Sequence, residues 1–357
     1  AGLRALRELR ASANAIEVID ALAACTQLEA LNLSENRIED IAPLAHMAAL
    51  RVVQLQDNAI VSVAPLADAV ELTDLALDGN TVRDIAPLAG LPALQVLGLS
   101  HNPLADLGPL AGLERITRLR ISHTAAADLR IAGQLPALAW LEAAGNGIHD
   151  LAALADAAQL THLDLRENAI REVAPLAGIT TLQRLYLDQN LVEDIAPLAA
   201  LPDLRVLGVQ GNRIAQLLPL RDAAFMTRKP TLLIAGNPIA CADAARQTAA
   251  LATAGARVDT PRRCLTAITP NRLKAGGESI IEVHGEGLRP NVTAVLVRAG
   301  RRIVAGEVAR AANGALTARF DLDNAAAGSY DLYLLQAANQ AQVAGWREAV
   351  RIEGGPS

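Results

Sequence analysis

The chain has 357 residues and a formal charge of −6, with 52% hydrophobic residues but only 2% aromatic ones. That length allows two domains, and the acidic balance, with no basic stripe, argues against a nucleic-acid partner. No uncharged apolar run reaches roughly 18 residues, so no membrane-spanning helix is expected.

The first residues, AGLRALRELRAS, show no signal-peptide pattern. Leu6, Leu9 and Asn14 already stand at positions that recur throughout the next 220 residues. A stack opening there without a polar cap would expose an apolar edge, so further residues are expected before Ala1. Only Lys229 and Lys274 are lysines, which with the alanine excess points to a GC-rich bacterial genome.

The recurring unit is L-x-x-L-x-L-x-x-N-x-[IL]. Its asparagines are Asn14, Asn36, Asn58, Asn80, Asn102, Asn146, Asn168, Asn190 and Asn212, spaced by 22 residues except at one double step. Thr124 stands in the gap, and an eleventh unit ends at Asn237. A period of this length and spelling predicts a leucine-rich-repeat solenoid of about eleven coils. Narrow coils filled by aliphatic side chains also explain the shortage of aromatics. In each unit a stretch such as Glu29 to Ser34 alternates apolar and polar, as a half-buried strand does. Leu31 and Leu33 are expected inside, with Ala30, Asn32 and Ser34 outside. The expected architecture is a parallel sheet on the concave face and short helical turns on the convex face. The asparagines follow the strand, where the chain turns inward. A structural Asn ladder is expected, in which their amides satisfy buried backbone groups of adjacent coils.

The second half of each unit reads like R-x-I-E-D-I-A-P-L-A. Asp40, Asp84, Asp106, Asp128, Asp150 and Asp194, with Glu172, follow the Asn position by four residues. One carboxylate per coil is too few for calcium. An aspartate before I-x-P-L instead predicts the N-cap of a short helical turn, with proline near its start. This spelling resembles the repeats of the bacterial internalin family and the related SDS22-like phosphatase regulators, over residues 1–240. The resemblance implies the solenoid fold, and in architecture a surface or secreted binding protein.

The segment 241–264 breaks the period and looks like the C-terminal cap of such repeat proteins. ADAARQTAALATAG supplies a helix that ends at Gly255. Cys241 and Cys264 bracket it, as a disulfide in an oxidising compartment or as two free thiols. Cys25 lies at a position that is leucine, isoleucine or methionine in other coils, so a buried, inert thiol is expected. Two cysteines do not make a structural zinc site, and no metal or other cofactor is predicted.

From Leu265 to Gly354 short alternating runs separated by Gly, Pro and Asn predict an all-β sandwich, with strands at Ser279–Val283, Ala294–Val297, Ala315–Phe320 and Tyr330–Leu335. ITP, AGGESIIEVHGEGL and AAGSYDLYL resemble the IPT/TIG immunoglobulin-like domain. HGEGL follows a strand without opening a helix, so it is read as a turn and not as a phosphate loop.

Function is expected at the outward strand positions. Arg118, Arg120, Trp140, Glu142, His162, Asp164, Arg166, Arg184, Tyr186 and Asp188 make a Trp, Tyr and Arg cluster among acids, the composition of a protein-binding hot spot. The alternative is that Trp140 only covers neighbouring strands. His101 and His123, with Ser100 and Ser122 before them, lack a third orienting group, so catalysis is not expected. The partner is then a protein or glycan on the concave face of a bacterial cell-surface or extracellular protein, with the Ig-like domain as spacer. The alternatives are a subunit contacting assembly neighbours in a surface filament, or a cytoplasmic regulator.

Overall fold

A computed structural model describes residues 4–104, 106–239, 241–259, 264–336 and 342–354, with the side chains of Ala242, Glu286 and Val343 left aside. It forms two compact units, Ala1–Leu185 and Tyr186–Ser357. The strands of the coils are β1 (Glu8–Arg10), β2 (Ala30–Asn32), β3 (Val52–Gln54), β4 (Asp74–Ala76), β5 (Val96–Gly98), β6 (Arg118–Arg120), β7 (Trp140–Glu142), β8 (His162–Asp164), β9 (Arg184–Tyr186), β10 (Val206–Gly208), β11 (Thr231–Leu233) and β12 (Arg257–Asp259). They form a 12-stranded sheet in chain order, the parallel sheet of a leucine-rich-repeat solenoid. The last strand was not anticipated: it comes from the cap, after the period has ended.

Within the first unit the coils after the first bury the same aliphatic set. Leu72, Leu75, Leu77, Val82, Ile85, Leu88 and Leu91 are at most 1% exposed. Leu28, Leu31, Leu33, Ile38, Ile41, Leu44 and Met47 repeat the pattern in an earlier coil. Cys25 is a buried free thiol in that set, as its position implied.

The asparagine ladder joins the coils. Asn80 Nδ2 donates to Leu55 O of the preceding coil and to Leu77 O of its own, while its Oδ1 accepts Ile60 N–H at 3.0 Å. The same bonds recur at Asn36, Asn58 and Asn102. Asn14 is exposed and bonds locally, its Nδ2 donating to Ala11 O and Ser12 O. Thr124 does part of an asparagine's work: its hydroxyl donates to Ile121 O at 2.9 Å. Asn146 then compensates, its Oδ1 accepting the N–H of Thr124 and Ala125 at once.

The returning half of most coils is a 3-10 turn such as Ala42–Leu44 or Ala64–Leu66. The gap coil, which lacks the A-P-L spelling, instead makes one α-helical turn, α1 (Arg130–Gly133). The aspartates stand one residue earlier than expected. Ile41, not Asp40, is the N-cap, and Asp40 Oδ1 accepts the Ala42 N–H at 2.8 Å. Asp84, Asp106, Asp128, Asp150 and Asp194 do the same. The carboxylate still satisfies one of the orphan donors of the turn.

The second unit holds the last coils, their cap and the sandwich. α2 (Cys241–Thr253) buries Ala244, Gln247, Thr248 and Leu251. Gln247 is fully buried; its Oε1 accepts Leu217 N–H and its Nε2 donates to Ala215 O, so a helix side chain completes the hydrogen bonding of the final coil. Cys241 and Cys264 are bonded, with Cα atoms 5.2 Å apart.

Nine strands follow: β13 (Cys264–Thr269), β14 (Arg272–Lys274), β15 (Glu278–Glu286), β16 (Val292–Arg298), β17 (Arg301–Val304), β18 (Glu307–Arg310), β19 (Leu316–Asp321), β20 (Gly328–Gln336) and β21 (Gln342–Glu353). They form sheets in the orders β13-β15-β19-β18 and β14-β21-β20-β16-β17, antiparallel except for β14 with β21. Leu265, Ile281, Val283, Leu296, Leu316, Phe320, Leu332 and Val350 fill the space between them. The Tyr330 hydroxyl donates to Ala326 O, four residues upstream, as in the tyrosine corner of immunoglobulin-like domains. This region is an Ig-like β-sandwich. Arg347 pairs with Glu193 at 2.9 Å, and Gln342 Nε2 donates to Asn212 O at 3.0 Å, so the sandwich engages the coils of its own unit.

Candidate functional site

In-register parallel pairing puts Arg118, Trp140 and His162 directly opposite one another on β6, β7 and β8. Neighbouring strands lie about 4.8 Å apart, a spacing at which flat side chains stack. The Arg118 guanidinium lies 4.2 Å from the Trp140 ring centroid. On the other side the Trp140 and His162 rings stack at 4.0 Å and 8°. The indole Nε1 donates to Glu142 Oε1 at 2.7 Å. Both faces of Trp140 are therefore covered, and the ring is half-buried rather than freely projecting.

His162 has Thr161 Oγ1 3.0 Å from Nδ1, while its Nε2 is buried without a partner. Burial, then the positive charges of Arg184 and Arg118, hold its pKa below the ordinary imidazole value. A base depressed in the folded state binds fewer protons than in the unfolded chain. This contribution therefore destabilises the fold as pH falls below the unfolded value near 6.5, and vanishes above it. In an NMR titration the His162 ring should protonate below the ordinary imidazole value near 6.5. A midpoint at or above that value would remove the burial argument.

The other residues of the proposed cluster are committed to each other. Arg120 reaches across β5 to Asp78, 42 residues away, with Nη2 2.6 Å from Oδ2. Asp78 Oδ1 also accepts the Ser100 N–H. Gly98 makes the passage possible, because a Cβ there would fall 2.2 Å from Asp78 Oδ2 and 2.3 Å from Arg120 Nη2. Gly98→Ala is expected to break this pair and to lower stability by about 1–2 kcal/mol in urea unfolding. An Arg120→Gln, Asp78→Asn background should reduce that loss. Arg166 pairs with Asp164 at 2.6 Å. Arg184 is exposed at the end of this row, its backbone N–H bonded to Thr161 O. Tyr186 and Asp188 belong to the second unit, where Asp188 is buried beside Gly208 and accepts the Gln210 N–H at 2.8 Å.

The two histidines of adjacent coils also stack: His101 and His123 lie 4.7 Å apart in left-handed backbone positions. The serine hydroxyls before them accept backbone N–H groups of the next coil, Ser100 from Ser122 and Ser122 from Ala144. They are part of the scaffold. Among the described residues no three metal-ligating side chains converge. What the sequence reading missed here is the Asp78–Arg120 pair. The only available signal was a glycine at an outward strand position between an acid and a base.

Residues 3–109 match the leucine-rich-repeat family model. No curated protein matches. Among solved structures, an internalin from Listeria monocytogenes is 24% identical, with a TM-score of 0.60, covering 70% of this chain and 79% of its own. A leucine-rich-repeat protein of Leptospira interrogans is 18% identical, with a TM-score of 0.61 and coverages of 71% and 72%. The functional domain of InlJ from Listeria monocytogenes is 14% identical, with a TM-score of 0.50, and covers 98% of this chain and 81% of its own. These likenesses establish the fold class: a leucine-rich-repeat solenoid.

Proposed function

We propose that the chain is a non-enzymatic binding protein of the bacterial surface or secreted space. It recognises a protein partner through the strand face around Arg118, Trp140, His162 and Arg184, with the Ig-like sandwich, read as IPT/TIG-like, serving as spacer. The working division is a solenoid over 1–240, a cap over 241–264 and a sandwich over 265–354. The observation that carries the reading is the row of stacked groups, pre-ordered by the sheet and half-exposed. Pre-ordering lowers the entropy cost of docking, and Trp and Arg are the residues enriched in interface hot spots. The Cys241–Cys264 bond supports an oxidising location.

The experiment is differential capture from extracellular and surface extracts by wild type, Trp140→Ala and a control, Arg83→Ala. The reading expects a partner recovered by wild type and control but lost by Trp140→Ala. Identical recovery by all three would remove this face as the contact surface.

A further inference from the structure

The arginines of the strand face are not equivalent. Arg10 is paired with Glu8, Arg120 with Asp78 and Arg166 with Asp164. Among the described residues Arg118 and Arg184 form no ion pair, although the chain carries a formal charge of −6 and acids are plentiful. The acids on the same strands are already held, Glu142 by the Trp140 indole and Asp164 by Arg166. Arg118 and Arg184 flank the Trp140–His162 stack, and both act on His162 electrostatically. Two cations without an ion-pair partner, flanking a half-buried Trp–His stack, form a site whose charge is completed only from outside.

We infer that this row receives an acidic segment of a protein partner, one carboxylate on Arg118 and another on Arg184. This rests on the protein-binding reading above and specifies its chemistry. Arg118 and Arg184 are three strand steps apart, about 14 Å at 4.8 Å per step. An extended segment rises about 3.3 Å per residue, so acids four residues apart reach both guanidinium groups. Such a segment runs along the stacking direction of the coils, across the strands. A glycan is the poorer occupant, because sugar rings pack on open aromatic faces and both faces of Trp140 are taken by Arg118 and His162. The net negative charge of the chain opposes indiscriminate attraction of acids, so binding depends on this local arrangement.

The probe is the peptide Glu-Ser-Gly-Ser-Glu, with Gln-Ser-Gly-Ser-Gln as its neutral counterpart and an oligogalacturonate as the anionic glycan. Titration of the intact chain is followed by NMR at the Trp140 indole N–H and the His162 ring, at low ionic strength. The acidic peptide is expected to bind about tenfold more tightly than the neutral one, as charge-assisted hydrogen bonds require. Arg118→Gln and Arg184→Gln should each lose about tenfold, while Arg166→Gln, removing an arginine already paired, should lose less than about threefold. Bound peptide should also move the His162 titration to higher pH, because its carboxylates offset the two cations. Equal affinity for both peptides, equal losses at Arg166 and Arg118, or preference for the oligogalacturonate would each overturn the inference. If Trp140→Ala still abolishes capture of a partner while the acidic peptide shows no preference, the binding face stands and the assignment of an acidic occupant falls.

Discussion

Asn102→Ala should lower the free energy of unfolding by about 3–4 kcal/mol, the larger part of a small domain's margin. Asn102 is 1% exposed and its carboxamide serves two coils. Nδ2 donates to Leu77 O at 2.9 Å and Leu99 O at 3.0 Å, and Oδ1 accepts the Val82 N–H at 3.0 Å. Alanine leaves these backbone groups buried and unpaired. Each orphaned group costs about 1–3 kcal/mol, far more than the hydrogen bond adds when present. Asn14→Ala is the internal control. The same residue type at the same repeat position is exposed there, with only local partners, and its loss should cost less than about 1 kcal/mol. Equal losses at the two sites in urea unfolding would show that the ladder is decorative. Asn102→Asp should be worse than Asn102→Ala, since a carboxylate cannot donate to Leu77 O and Leu99 O and its charge would be buried.

That contrast also marks how far the sequence can be read. The ladder, the inward leucines and the cap helix were legible because a repeat writes the same physical requirement many times. The strands of the sandwich were less so. β15, β16 and β20 contain the expected runs and β19 all but Ala315 of its run, yet β13, β14, β17, β18 and β21 were missed. RRIV and EVAR are short, charged stretches at sheet edges, where only one side is paired and apolar alternation is weak. Gln247 was equally silent: one buried glutamine in an alanine-rich helix shows its role only when Leu217 N–H is seen to need it. At the candidate site, alternation correctly put Arg118, Trp140 and His162 on neighbouring strands. It could not show that both indole faces are covered, because that depends on side-chain rotamers. Nor could it separate Arg120, held by an acid, from Arg118, since Asp78 and Arg120 are two coils apart.

Removing the Cys241–Cys264 bond, by Ser substitution at both positions, should cost about 3 kcal/mol on the chain-entropy estimate for a loop of this length. The bond joins the first residue of α2 to the first residue of β13, so the loop it closes contains the cap helix and β12. In the oxidised unfolded chain that loop remains tied, and its lost freedom is the source of the stabilisation. A solenoid is held coil by coil, through neighbours only. The loss should therefore appear first at the cap: hydrogen exchange should quicken in α2 and β12 while β3 to β6 keep their protection. Reduction of the wild-type chain should reproduce the pattern. A loss below about 1 kcal/mol would mean that Leu251 and Gln247, both fully buried, hold the helix without the cross-link. The two outcomes bear on location as well. If the cap depends on the bond, the last coil stays closed only where thiols are oxidised, and the cytoplasmic-regulator alternative loses its physical basis.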